Sequence, residues 1–204
     1  MSLHVDFTTG ELTDLAIILA SASPRRKAIL EMLGTKDLKV MPAKGEEIVP
    51  PDAGPAETVE SLSRAKALEV AKKCSQSDVI IAADTIVWLG DRLLGKPSDE
   101  AEAVHMLREL SGNCHEVYTG ITVIKGESVN SEHEVSKVFF RKLTDEEIKG
   151  YISTGEPMDK AGAYGVQGIG ALFIERIEGD FFNVMGLPVC RLGEMLKKQG
   201  VKLL

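Results

Sequence analysis

The chain has 204 residues, of which 44% are hydrophobic and 27% charged, and a formal net charge of −7. That length can bury a full core, and that charge argues against general binding to nucleic acid or to an anionic membrane. No apolar run reaches the ~18 residues of a membrane span and no basic-then-apolar leader opens the chain. Three widely spaced cysteines and four scattered histidines suggest neither a disulfide framework nor a zinc site, so a single cytoplasmic domain over residues 1–204 is the expectation.

The first apolar run, residues 16–20, reads as a buried strand, and Ser21-Ala22-Ser23-Pro24-Arg25-Arg26 follows it directly. This is a corner and a helix start, with Ser23 as N-cap and Pro24 as the first helical residue. Arg25, Arg26 and Lys27 then fall in the first turn, where the free N–H groups and the dipole favour anions. Each cation there costs roughly 0.3–1 kcal/mol. A bound anion reverses that sign by gaining from the dipole, the N–H groups and two guanidinium forks. The plainer alternative is a run of surface arginines paired with carboxylates. The helix carries Ile29, Leu30 and Leu33 on one face and stops at Gly34.

Residues 38–41 suit a short strand. A Pro/Gly/Glu-rich loop at 42–56 carries Glu46 and Glu47, and a long helix over 57–74 carries Lys66. Residues 79–83 are unbroken apolar sequence, as in a strand covered on both faces, and Asp84-Thr85 ends that run. A hairpin turning at Gly90-Asp91 follows, then Lys96 in the rigid Gly95-Lys96-Pro97 loop. Asp99 and Glu102 have capping-box spacing for a helix to Leu110, and Thr144 and Glu147 for a helix to about Thr154. Between them, stretches 115–125 and 132–142 look like paired strands. Residues 155–170 hold five glycines, too many for regular structure. Strands at 171–177 and 181–185 and a helix at 188–198 close the chain. Helices interleaved with strands and a hairpin indicate an α/β fold with a mixed sheet.

Ligands of open α/β sheets bind beyond the carboxyl ends of strands, which is where this reading puts both Ser21 and Asp84-Thr85. An aspartate facing an arginine-rich anion site can hold a divalent cation or activate water; alone, it is as readily a turn or cap residue. Lys66 and Lys96 taken singly are solvated charges. Glu46-Glu47 is an ordinary acidic loop whose place would suit a metal-holding lid. In the glycine loop, clustered glycines let backbone approach a ligand closely, and the Gln167 carboxamide matches N3–H and O4 of uracil or thymine. A solvent-facing turn is the alternative there. Gly168-x-Gly170 precedes a strand and is no dinucleotide fingerprint.

The blocks Leu19-Ala20-Ser21-Ala22-Ser23-Pro24-Arg25-Arg26, Ala83-Asp84-Thr85, Gly95-Lys96-Pro97, Leu110-Ser111-Gly112, residues 156–168 and Met185-Gly186-Leu187-Pro188 together resemble the Maf-like nucleoside triphosphate pyrophosphatases, also called septum formation proteins. They run in that family's order from about residue 17 to 190, leaving residues 1–15 as a variable extension. The resemblance implies metal-dependent hydrolysis of a nucleoside triphosphate to the monophosphate and pyrophosphate, with Mg²⁺, Mn²⁺ or Co²⁺. It implies Asp84 as proton acceptor and metal carboxylate, Glu47 as its partner, and Ser21, Arg25, Arg26, Lys66 and Lys96 on the phosphates. One subgroup acts on dTTP and UTP and carries Ser-Pro-Arg-Arg, Ala-Asp-Thr and Tyr-Gly-x-Gln-Gly. Another acts on 7-methyl-GTP and differs at all three places. This chain has the first set, which implies Arg26, Thr85 and Gln167 as specificity positions. The implied fold is α/β with two lobes around a deep cleft, similar to inosine triphosphate pyrophosphatases, and often homodimeric. The alternatives are the same chemistry on a modified or purine nucleotide, or a non-catalytic nucleotide-binding regulator of cell division.

Overall fold

The computed structural model describes residues 16–35, 37–49 and 52–201; the expected N-terminal extension over 1–15 lies outside them. Strand β1 (Ile17–Leu19) is wholly buried and leads through the Ser21–Ser23 corner into α1 (Pro24–Met32). β2 (Lys39–Val40) is a short edge strand. α2 (Pro55–Ala71) begins two residues before the predicted start because Pro55 takes the first helical position, where its missing N–H costs nothing. Val59, Leu62, Ala67 and Val70 recur at helical spacing and give it a buried face.

β3 (Val79–Leu89) is the axis of the molecule. It turns at Gly90-Asp91 into β4 (Arg92–Leu94), as predicted, with Leu89 paired to Arg92. α3 (Glu100–Leu110) is capped by Asp99, while the Glu102 carboxylate turns back to the N–H and hydroxyl of Ser98. β5 (Cys114–Lys125) and β6 (Ser128–Phe140) form a long hairpin that starts its return strand four residues before the expected 132. α4 (Asp145–Ile152) opens on a complete capping box between Thr144 and Glu147. Three short 3-10 turns occupy the glycine-rich stretch, the last of them at Ile169–Phe173, so β7 (Ile174–Glu178) is shorter than predicted. Residues 181–185 are a helix, α5 (Phe181–Met185), and not the predicted strand. Their β-prone composition is overruled by an Asp180 cap on the Phe182 N–H at 2.7 Å and by Gly186 at φ +102° behind them. α6 (Val189–Lys198) ends the described fold.

The seven strands form one mixed sheet in the order β2-β1-β3-β5-β6-β7, with β4 on β3. β1 is parallel to β2 and β3, and the remaining pairs are antiparallel. β1 pairs with residues 79–81 of β3, and β4 pairs with residues 87–89 of the same edge. Between them the edge over 82–86 has no strand partner among the described residues, so the sheet splits there. Apolar side chains gather in three clusters: against α1 and α6 on one face, under α2 on the other, and around α3, α4 and the glycine loop past the split. The described core therefore divides on either side of Asp84, which accounts for the two-lobed shape. No helix among the described residues is long and apolar enough to cross a membrane.

Close packing of α2 depends on Gly120, which sits opposite Asp84 in the β3–β5 register. A Cβ on Gly120 would lie 2.2 Å from the Val59 carbonyl oxygen. Only glycine lets the helix backbone come down onto the sheet here. Lys66, two turns along that helix, thereby reaches Asp84.

Candidate active site

The split in the sheet opens into a cleft of about 590 Å³. Its walls carry five cationic side chains, Arg25, Arg26, Lys66, Lys96 and Lys160, and three carboxylates, Glu47, Asp84 and Asp159. A local charge of +2 inside a chain of net charge −7 marks a receptor for a polyanion.

Asp84 does not end its strand, contrary to the expectation from the apolar run. It lies mid-way along β3, beyond the last residue paired with β1, and is 7% exposed. The split in the sheet supplies the opening that a strand end would have supplied. Because side chains alternate across a strand, Asp84 points toward α2 and Thr85 toward α1 and α5. Lys66 places its ammonium in contact with Asp84 and 2.7 Å from Oε1 of Glu47. The hydrogen bond from Lys66 holds the Glu47 carboxyl below its ordinary value; partial burial opposes this, and Lys66, Lys96 and Arg26 reinforce it. Lys66 is thus placed in the acidic centre, between two carboxylates, and not free in the cleft.

Arg26 is held from three sides. Its Nε donates to the Gly186 carbonyl at 2.8 Å, one terminal nitrogen to Ser21 Oγ at 3.1 Å and the other to Thr85 Oγ1 at 2.9 Å. Burial draws its pKa down from the ordinary value, Asp84 opposes that, Arg25 adds to it and Glu47 opposes it; a guanidinium stays charged regardless. Ser23 caps α1 as predicted, accepting from the Arg26 N–H at 3.5 Å. Arg25, in the same turn, lines the cleft and makes no ion pair with the described residues. The surface-ion-pair alternative for this corner fails: neither arginine is tied to a carboxylate on the described surface, and both face the cleft.

Glu47 sits on a loop tied to α2 by Glu69. The Glu69 carboxylate accepts from the backbone N–H of Lys44 at 3.0 and 3.1 Å and from that of Gly45 at 2.8 Å. Across the cleft, Tyr164 is buried with its hydroxyl 2.8 Å from Nε2 of His115. Burial lowers the His115 pKa to about 3, so that pair is neutral.

The structure brings Ser21, Arg25, Arg26, Glu47, Lys66, Asp84, Thr85 and Lys96 into one cleft, and leaves Gln167 out of its walls. Gln167 is exposed on the loop, one residue past the wall residue Val166. Gly168 and Gly170 pack around an internal anion, while Gly165 lines the cleft. Glu156 accepts from Ile169 N–H at 2.9 Å, Gly170 N–H at 3.1 Å and the Tyr151 hydroxyl at 2.8 Å. A Cβ on Gly168 would lie 2.3 Å from Oε2 of Glu156. Asp159 and Lys160 line the cleft unforeseen, although Lys160 is turned onto the Glu156 carbonyl at 2.7 Å and Asp159 at 2.5 Å. Their place beside the glycine loop was the one available signal.

Two oxygen carboxylates that already share a positive charge suit a hard divalent cation completed by water and phosphate oxygens. They do not make a self-sufficient cage: among the described residues no group of three or more His, Cys, Asp or Glu could hold a metal.

Comparison with known proteins identifies the fold and the family. A HAM1 protein from Coxiella burnetii has the same fold, with a TM-score of 0.52 over 90% of this chain and 99% of that one at 15% identity. In sequence, the chain is 49% identical over 184 residues to a dTTP/UTP pyrophosphatase of Aquifex aeolicus (strain VF5), covering 90% of this chain and 95% of the relative. It is 50% identical over 188 residues to a protein of the same name from Carboxydothermus hydrogenoformans (strain ATCC BAA-161 / DSM 6008 / Z-2901), covering 91% of this chain and 100% of the relative. The family model described as Maf-like protein matches residues 16–199. With the cleft, the Ser-Pro-Arg-Arg corner and a match of that extent in agreement, the chain belongs to the family of Maf-like proteins.

Proposed function

We propose that this protein hydrolyses nucleoside triphosphates, dTTP and UTP foremost, between the α- and β-phosphates, releasing the monophosphate and pyrophosphate. The observation that carries the reading is one juxtaposition. A helix N-terminus bearing Arg25 and Arg26 faces the Asp84–Glu47 carboxylate pair across a single cleft. The names of the relatives from Aquifex aeolicus and Carboxydothermus hydrogenoformans point to the same reaction.

The polyphosphate lies along Ser21, Arg25, Arg26 and Lys96, and the three cationic side chains among them offset most of its charge. The free N–H groups of the first turn of α1 add to this. Asp84 takes a proton from a water as that water's oxygen bonds to the α-phosphorus. The bond from the α-phosphorus to the bridging oxygen breaks, and pyrophosphate leaves with the electron pair. Glu47 and Asp84 would hold a divalent cation, which when bound supplies Lewis-acid neutralisation of phosphate charge. Lys66 bridges Glu47 and Asp84 and orients both in the free enzyme. Most of the catalysis is positioning and electrostatic stabilisation, as phosphoryl transfer allows. Thr85 and Arg26 are specificity positions in this reading. Gln167 joins them only if its loop turns inward when nucleotide binds.

Product analysis over a panel of triphosphates tests the proposal. Pyrophosphate and monophosphate from dTTP and UTP, at higher kcat/KM than from purine or modified nucleotides, is the expected result. Orthophosphate release identifies a phosphomonoesterase instead, and tight binding without turnover identifies a regulator.

A further inference from the structure

Behind Arg26 two hydroxyls, the half-buried Thr85 and the fully buried Thr119, form a line whose hydrogen-bond directions can be deduced. Thr119 Oγ1, on β5, is 3.0 Å from the Asn183 carbonyl oxygen and must donate to it. Its single proton being used, Thr119 accepts from Thr85, whose Oγ1 is 2.9 Å away. Thr85 in turn accepts from the Arg26 guanidinium. The chain therefore runs one way, from Arg26 through Thr85 and Thr119 to Asn183, and a line of like-oriented bonds strengthens each member.

Asn183 is 0% exposed and anchored on its own account. Its Nδ2 donates to the Val117 carbonyl and to Ser136 Oγ, both at 2.9 Å, and Ser136 Oγ is bonded to the backbone of Asp180. These contacts pin α5 at its N-cap and at its middle residue. The Gly186 carbonyl just past that helix is the acceptor for Arg26 Nε. One anchored helix thus fixes Arg26 twice, directly through Gly186 and through two threonines.

We propose that Thr119 and Asn183, neither of which lines the cleft, are positioning residues that set the orientation of Arg26 as phosphate receptor. Thr85 on this account acts on specificity through Arg26, since its proton goes to Thr119 and it accepts from the guanidinium. The inference rests on the reading of Arg26 as an anion-binding residue.

The test compares Thr119→Val, which removes the hydroxyl at constant shape, with Thr119→Ser, which keeps it. Thr122→Val is the control, on the same strand, equally buried, and bonded to Ser63 and Ser131 instead. T119V should lower kcat/KM for dTTP by about 10- to 100-fold, the range a displaced binding group produces. T119S should stay within about threefold and T122V within about twofold of wild type, both being leaves of the same fold whose bonds to Arg26 are intact or irrelevant. In an R26A background T119V should add no further loss, because coupled residues are non-additive. Activity of T119V within twofold of wild type, or an equal loss in the R26A background, overturns the proposal.

Titration with inorganic pyrophosphate gives a readout independent of turnover, and T119V should weaken its binding about tenfold. If wild type released pyrophosphate from no triphosphate, the proposed function would fall while this measurement still judged Thr119. If T119V does not fold, S136A loosens Asn183 from its other side and should weaken pyrophosphate binding in the same direction. Unchanged binding there counts against the inference.

Discussion

Lys66 on α2 and Asp84 on β3 form a contact ion pair at the floor of the cleft, 18 residues apart in sequence and joined because Gly120 admits the helix to the sheet. Asp84→Asn keeps the shape and removes the proton acceptor. Loss of a positioned general base costs on the order of 10²–10⁴ in rate. With dTTP, D84N should therefore lower kcat by that range, followed as pyrophosphate release. Lys66 retains Glu47 as partner, so the melting temperature should move little. Turnover within a few-fold of wild type removes Asp84 from the role.

Stability should fall in mild acid through His115. Burial lowers its pKa from 6.5 to about 3 in the folded protein. Between those values the unfolded chain binds a proton that the folded chain does not. Stability is therefore fully present above pH 6.5 and declines as pH falls, by about 1.4 kcal/mol per pH unit. His115→Gln keeps a neutral partner for the Tyr164 hydroxyl and should flatten that slope in urea denaturation between pH 4 and 7. A slope equal to that of wild type would place the titration elsewhere.

What was legible in the sequence was local. The Ser23 cap, Pro24 and the misplaced arginines fall within four residues, and so does the Thr144–Glu147 box; both stand as predicted. Asp84 was found by its neighbours, but its place mid-strand was not, because the split arises from where β1 and β4 pair and not from the composition of β3. The strand expected at 181–185 failed for a related reason. Phe181 and Phe182 favour a strand, and only the cap at Asp180 with the turn at Gly186 selects a helix. Thr119 and Asn183 were invisible, since the bonds they make span between 34 and 66 residues.

Gly168 and Gly150 separate two kinds of glycine. Gly168→Ala would drive a methyl to 2.3 Å from Glu156 and disturb the carboxylate that holds the Ile169 and Gly170 N–H groups. Overpacking of this kind costs about 1–3 kcal/mol. Gly150 lies inside α4 with open space around it, so Gly150→Ala should stabilise by about 0.5–1 kcal/mol through helix propensity. Thermal melts of the two variants should shift in opposite directions.

Glu69 is the last residue whose loss should be felt at a distance. Its carboxylate holds the N–H groups of Lys44 and Gly45, and two residues further along the same loop Glu47 meets Lys66. Those hydrogen bonds hold the Glu69 carboxyl below its ordinary value, so the clasp persists in mild acid and opens only as pH falls through the lowered value. Glu69→Ala frees the loop without touching the cleft. Misplacing a positioned group by about 1 Å can cost up to 10²-fold, and E69A should lose about tenfold in kcat/KM. On the proposed metal-dependent reaction, the concentration of Mg²⁺ giving half-maximal activity should rise with it, since Glu47 is no longer held at Lys66. Glu69→Gln keeps one oxygen acceptor and should fall between the two. The contacts are on the surface, so melting should be nearly unchanged; a large drop in stability with no change in Mg²⁺ dependence would mean that Glu69 supports α2 and not the acidic loop.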